Sequence, residues 1–450
     1  MSDEGGDPVD ERHDGRAIMG WMIRAGVVLA AVVASACGAG ERAGEGGLRV
    51  VRDTVGDTLI VRTVAGSAWG APGRLVEEMR IGALEGADEY LLGDVRGLAV
   101  DREGFIYVYD AQVPALRKYA PDGTYVATFG REGGGPGEYK NSDGGLVVLP
   151  DGRVALRDVG NGRITVYASN GEAAATWPIR GSFSTSDPMV ADTAGNVYTQ
   201  VLLDPRADVT EWHIGLVRYG PDGVPRDTIP SPTWDYERAT VVARRDGSAS
   251  VNSVPFAPTV QWAFSPLGYM VGGLSTRYAI DLFQREDRVV RIERVVEPVP
   301  VGAGERANWE ARVTENMRNM VPDWKWNGPP IPDEKPPFRE LYVGQDGRIW
   351  VRVSATAVEI PVEEEPARPG ERRRTPLRWR EPVIFDVFEP DGRYLGEVRA
   401  PDEFSPYPTP YFRGEHVWAV VRDELGVQYV VRFRIEHGGD EPGEEVAVAS

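Results

Sequence analysis

One cysteine and four histidines in 450 residues leave little material for a zinc or iron centre. Basic charge is also scarce. The formal net charge is −19, so the chain lacks the positive footprint that neutralises phosphates, and nucleic acid is not an expected partner. No Lys-Ser or Lys-Thr follows a glycine loop as a phosphate-binding P-loop demands. No G-x-S-x-G nucleophile elbow is present. The apolar run at residues 25–36 is twelve residues long, short of the roughly 20 that a membrane-spanning helix needs.

That run is instead the length of a secretory core, with Arg24 just before it and Ala34-Ser35-Ala36 at its end. The lone cysteine, Cys37, comes at once. The arrangement resembles a bacterial lipoprotein signal, with Ala34 where such signals usually carry leucine. The resemblance implies removal of residues 1–36, lipidation of Cys37 and a membrane anchor in the periplasm or at the cell surface. The first eighteen residues are acidic, unlike a leader, so Met19 or Met22 is the expected start. Residues 37–47 read as a flexible tether and 438–450 as a disordered tail.

The stretch GREGGGPGEY, residues 130–139, has the glycine density of a phosphate cradle. A dinucleotide loop would place a third glycine where Glu138 stands and would open a helix. The next residues are Lys140-Asn141-Ser142-Asp143-Gly144-Gly145, which carry turn chemistry and no helix start.

A repeat explains the glycines. Asp101-Arg102-Glu103-Gly104-Phe105-Ile106-Tyr107-Val108 is a polar turn leading into a strand of β-branched and aromatic residues. Comparable turns carry Gly152, Gly195, Gly268, Gly347 and Gly414, making six copies. A second turn comes after most of them, at Asp122-Gly123, Asn170-Gly171, Asp222-Gly223 and Asp391-Gly392. Asp-Gly and Asn-Gly favour tight hairpins because they tolerate positive φ. Two hairpins per repeat give four strands, the composition of a propeller blade.

Arg157-Asp158-Val159-Gly160-Asn161-Gly162-Arg163-Ile164-Thr165-Val166-Tyr167 resembles the core of an NHL repeat. GREGGGPGEY resembles the linker between blades in that family. The resemblance, to NHL-like six-bladed β-propeller lipoproteins, implies an all-β fold over residues 48–437. The expected form is a six-bladed β-propeller of four-stranded antiparallel blades. In this reading the glycine stretch carries the chain from one blade's rim to the next blade's inner strand. The last copy has chain for only three strands, so a strand from residues 48–63 is expected to complete the sixth blade.

Three insertions interrupt the repeat. Residues 305–320 predict a short helix with Trp309, Val313, Met317 and Met320 on one face. A proline-rich segment then carries Trp324 and Trp326, which either line a ligand groove or pin the segment to the body. Residues 368–380, with Arg372-Arg373-Arg374, read as a charged hairpin tip. Arg96, Asp143, Asp187, Arg339 and Tyr407 lie near the starts of inner strands and are candidate axis-lining, ligand-binding residues. No catalytic residue is assigned.

The function expected is that of a monomeric binding or scaffold protein at the bacterial cell envelope. Its partner would be an envelope protein or a small ligand, with no cofactor. The alternative is a lactonase or esterase-type hydrolase with calcium (Ca2+) on the axis, held by Asp143 and Asp187, since several six-bladed propellers work in that way. In that setting Asp110 and Asp158 are expected to bond turn backbone rather than metal.

Overall fold

Each of the six turn glycines joins two antiparallel strands, and each adopts positive φ, between +59° at Gly414 and +91° at Gly104. A side chain at such a position is strained, which is why glycine marks every copy. The computed structural model describes residues 47–181, 185, 187–208, 211–285, 288–362 and 375–438. Residues 1–36, Cys37, Arg372-Arg373-Arg374 and residues 439–450 lie outside them.

The repeats become antiparallel sheets. Val95–Val100, Ile106–Asp110, Ala115–Tyr119 and Tyr125–Phe129 form the first. Ser142–Val148 opens the second and Val190–Ala191 the third, again with four strands each. The fourth begins at Val260–Ser265 and ends at Arg288–Arg294. A nine-stranded sheet consists of two further units fused at their rims, where Tyr394–Arg399 runs parallel to Gly73–Ile81. The opening strands of all these units wall one central cavity of about 80 Å³, through Leu98, Leu146, Met189, Phe264, Val343 and Phe412. Sheets arranged around a shared axis in this way form a β-propeller.

Aromatic residues fill the space between neighbouring sheets. Tyr107, Tyr109 and Phe129 of the first sheet pack with Leu146, Leu156 and Tyr167 of the second. Full burial of a side chain of that size stabilises by about 1.5–3 kcal/mol. The turns themselves carry a recurring bond. Asp101 accepts from the Phe105 amide at 2.8 Å and from the Tyr107 hydroxyl at 3.1 Å. Asp192 does the same with Asn196 and Tyr198, and Asp423 with Val427 and Tyr429.

The strand that completes the last unit is not the expected one. Gly73–Ile81 pairs antiparallel with Gln428–His437 and supplies its outer strand. Residues 48–63 belong to a hairpin, Arg49–Val55 with Thr58–Ala65, that extends the rim of the fourth sheet by parallel pairing with Arg288–Arg294. Both segments alternate apolar and charged residues, so periodicity alone does not separate them. Partner geometry decides, because Leu75 and Met79 face the cores on either side of the closing unit while Val61 faces that of the fourth.

The glycine-rich stretch is a connector. Gly130 has φ +66°, and a Cβ there would lie 2.5 Å from the Gly137 carbonyl oxygen and 2.6 Å from the Tyr167 hydroxyl. The loop turns its carbonyls toward the second sheet. Asn161 donates to Gly133 O at 2.9 Å, Arg163 to Glu138 O at 2.8 Å and Tyr167 to Gly137 O at 3.0 Å. Those acceptors point at protein donors, an arrangement opposite to a phosphate cradle, which aims backbone N–H groups at its ligand.

Two glycine substitutions separate backbone strain from crowding. Gly268 has positive φ with open space around its missing Cβ, so Gly268→Ala should cost about 1–2 kcal/mol. Gly223 has positive φ, and a Cβ there would lie 2.0 Å from Trp177, so Gly223→Ala should cost clearly more. Urea unfolding of both variants measures the difference; equal costs would contradict the packing described.

Candidate functional site

In an antiparallel four-stranded unit, connections leave alternately from the two ends. The turns between first and second strands, and between third and fourth, therefore share one face of the ring. All of them are five residues or shorter. Among the described residues, the opposite face carries the long connections, including residues 231–259 and 295–337. The inner strands begin on this second face, so Arg96, Asp143, Asp187, Arg339 and Tyr407 all lie on it.

The structure brings four of these five into one polar mouth. The buried Asp143 carboxylate is held by the buried guanidinium of Arg157 and accepts from the Thr185 amide at 2.9 Å. Arg157 also donates to the Thr199 hydroxyl at 2.8 Å. Asp187 accepts from the Gln200 side-chain amide, and its own backbone N–H donates to Thr185 Oγ1 at 3.2 Å. Asp187 is open to solvent, yet protein walls crowd it closely enough to raise its carboxyl pKa, against the opposing bonds from Gln200 and Thr185. Arg96 pairs with Asp94 at 2.7 Å. Tyr407, 38 % exposed, lies within the fields of Arg96, Asp94, Asp143 and Arg422, and partial burial raises its hydroxyl pKa.

Across the mouth stand Tyr342, Glu340 and Arg352. Tyr342 donates to Glu340, and Arg352 does so at 3.0 Å. Burial and the adjacent Glu340 charge push the Tyr342 hydroxyl far up, and Asp187 adds to that push. Arg339 sits to one side. It donates to Glu381 at 2.5 Å and stacks over Phe256, with its guanidinium 5.4 Å from the ring centre. Glu381 also meets Lys335 at 3.3 Å, and Lys335, fully buried, meets Glu305 of the helix Ala303–Arg318 at 2.8 Å. This charged chain fastens the helix to the fifth unit.

Trp324 and Trp326 are away from the axis. Trp324 is buried and donates its indole N–H to Val242 O at 2.9 Å, while Trp326 donates to Pro329 O at 2.8 Å. They pin the proline-rich segment to the hairpin Thr240–Arg245/Ser248–Ser253, in a small core shared with Val313 and Met317. Their two rings meet edge to face, with centres 6.3 Å apart.

The two carboxylates named for calcium, Asp143 and Asp187, are both engaged by protein donors. Calcium takes about six to eight oxygen ligands. The Asp143 carboxylate is already neutralised by Arg157, and a cation beside it would face a guanidinium. Among the described residues no cluster of three or more Asp, Glu, His or Cys side chains is placed to hold a metal. Asp110 and Asp158 bond connector amides: Asp110 accepts from Gly93 at 2.8 Å, and Asp158 from Asn141 at 3.0 Å.

Arg157, Gln200, Tyr342 and Arg352 escaped the sequence reading. A signal for three of these was present. Five residues after the turn glycines stand Tyr109, Arg157, Gln200, Gly273, Arg352 and Ala419. A polar side chain in the middle of an otherwise apolar strand, at the same register in three copies, marks a shared polar surface. Tyr342 carried no such mark, since an aromatic in an inner strand reads as core.

No family model matches the chain, and no curated protein matches it in sequence. Solved structures do align with it. A DUF4221 family member from Bacteroides vulgatus is 11 % identical with a TM-score of 0.47, over 82 % of this chain and 99 % of that one. A streptogramin B lyase is 10 % identical with a TM-score of 0.39, over 80 % and 98 %. A virginiamycin B lyase from Staphylococcus aureus is 10 % identical with a TM-score of 0.37, over 76 % and 94 %.

Three variants test the mouth's electrostatics. Arg157→Met leaves Asp143 buried without its counter-charge and should cost about 3–5 kcal/mol, whereas Arg157→Met with Asp143→Leu should recover most of that. Chemical denaturation reads both, and an unrecovered double variant would contradict the pairing. Asp187→Asn should melt above the parent at pH 7, where the parent carboxylate is charged and disfavoured. The gap should close as the pH falls below the ordinary carboxyl range, where Asp187 is neutral. A constant gap across pH would exclude the raised carboxyl.

Proposed function

We propose that the chain is an exported, lipid-anchored, six-bladed β-propeller that binds an envelope protein or a small ligand through its axial mouth. The observation that carries the binding reading is the coincidence, among the described residues, of the long connections with the polar mouth on one face of the ring. Rigid strands presenting variable loops are the usual architecture of a binding surface. The blade count rests on six opening strands around one cavity. The kinship with NHL-repeat proteins rests on the residue 157–167 motif and the glycine connector.

Residues 1–36 act as the signal in this proposal, 37–47 as the tether and 48–437 as the propeller, which works as a monomer. Export and anchoring rest on Ala34-Ser35-Ala36-Cys37. The fold itself assigns no reaction. The calcium-dependent hydrolase is the weaker reading because Arg157 already occupies Asp143.

Cys37→Ser should abolish metabolic labelling with palmitate and release the protein from the membrane fraction. Continued labelling would exclude Cys37 as the anchor. A photo-crosslinking residue at position 407 should yield adducts in envelope extracts, while the same residue at Arg102, on the short-turn face, should not. Adducts from position 102 alone would place the binding surface on the wrong face.

A further inference from the structure

Among the described residues, three guanidinium groups at the mouth are each paired with a carboxylate, and that restricts what can enter it. Arg96 is matched by Asp94, Arg157 by Asp143, and Arg352 by Glu340. Of the further charges described there, Asp187 and the exposed Arg422 are of opposite sign. An incoming anion would have to compete with a carboxylate for each paired guanidinium, and an incoming cation with a guanidinium for each carboxylate. Either exchange trades one ion pair for another and recovers little of the ligand's lost hydration.

Hydrogen-bonding capacity is dense by contrast. The rim sets the hydroxyls of Tyr407 and Thr185 and the amide of Gln200 beside carboxylate acceptors and guanidinium donors. Hydroxyls and amides offer donor and acceptor together. Further along the inner strands, toward the short-turn face, the cavity of about 80 Å³ is walled by apolar side chains, among them Leu98, Leu146, Phe264 and Val343, and by none of the rim residues named above. Trp262, half-buried, lies on the same strand as Phe264, two residues nearer the mouth, and packs in its cluster. A polar rim beside aromatic faces suits a molecule with a hydroxyl edge and a C–H face.

We infer, resting on the reading of the mouth as a binding site, that its ligand is a neutral polyhydroxylated molecule, a sugar or polyol. Recognition is by exchange of neutral hydrogen bonds at the rim, with Tyr407 providing both an aromatic face and a hydroxyl. Affinity is therefore insensitive to salt, because no net charge is screened.

Saturation-transfer NMR on the full exported chain tests this with cellobiose, N-acetylglucosamine and myo-inositol as neutral probes, gluconate and citrate as anions, and putrescine as a cation. The expected result is transfer to a neutral probe, equal at low and high salt, and weakened about tenfold by Tyr407→Ala. Tyr407→Phe, which removes only the hydroxyl, gives the same readout should the alanine variant fail to fold. Binding of an ion instead, salt-sensitive and lost in the Tyr407 variants, would overturn the neutral class while leaving the mouth as the binding site. Neutral binding unchanged by both Tyr407 variants would overturn the assignment to the mouth. No transfer to any neutral probe would overturn the ligand class, and the position 407 cross-links would then decide the mouth separately.

Discussion

The structure depends on one pairing, that of Gly73–Ile81 with Gln428–His437. A circular array of sheets built from a linear chain has a seam, and a seam leaves strand edges without hydrogen bonds. Here the seam is closed by the third strand of the described chain meeting its last strand in one sheet. Side chains reinforce it. Gln428 accepts from the Val95 amide at 2.8 Å, tying the last unit to the first inner strand. Tyr411 donates to Val100 O at 2.7 Å and Arg413 to Asp101 O at 2.6 Å, on the same boundary. The preceding hairpin then lies along the fourth unit, while Ala68 and Trp69 bond the backbone of Tyr394 and Leu395 in the fifth. The N-terminal segment is thus a strap across three neighbouring units.

A closed ring fixes the inner strands, and fixed inner strands fix the mouth. Asp143, Asp187, Arg96 and Tyr407 come from four different repeats and meet only because the strands that carry them converge on one axis. The two faces divide the work. On one, short turns are held by aspartates that bond backbone amides and a tyrosine in the next strand. On the other, long connections build a small second core around the helix Ala303–Arg318 and join it to the ring through the buried Lys335 with Glu305 and Glu381. Burying a lysine demands matched charges and hydrogen bonds. Lys335 has them, with Ala355 O accepting at 2.9 Å as well.

Much of this was legible in the sequence because repetition exposes it. The turn glycines at 104, 152, 195, 268, 347 and 414 mark real turns, and the Asp-Gly and Asn-Gly pairs mark the second hairpins. The glycine stretch at 130–139 was readable as a connector because no helix begins after it. The helix was placed within two residues at each end, as Ala303–Arg318. The closing strand was not legible. Residues 48–63 and 73–81 share one polarity pattern, and only the three-dimensional partners distinguish them. The two tryptophans were ambiguous for a related reason, since sequence does not tell an aromatic that greets a ligand from one that pins a loop. The mouth was half visible. Residues at the starts of inner strands could be counted from the repeat, but Arg157 and Arg352 reach it from second strands, and only an alignment of all copies reveals their common register.

Native-state hydrogen exchange read by mass spectrometry tests whether Gly73–Ile81 closes the ring. The account predicts that amides of Gly73–Ile81 and Gln428–His437 exchange as slowly as those of Val95–Val100, all through global unfolding. Exchange of Gly73–Ile81 at loop-like rates, while Val95–Val100 stays protected, would show that the strand is not the closure and would remove the frame on which the mouth is built.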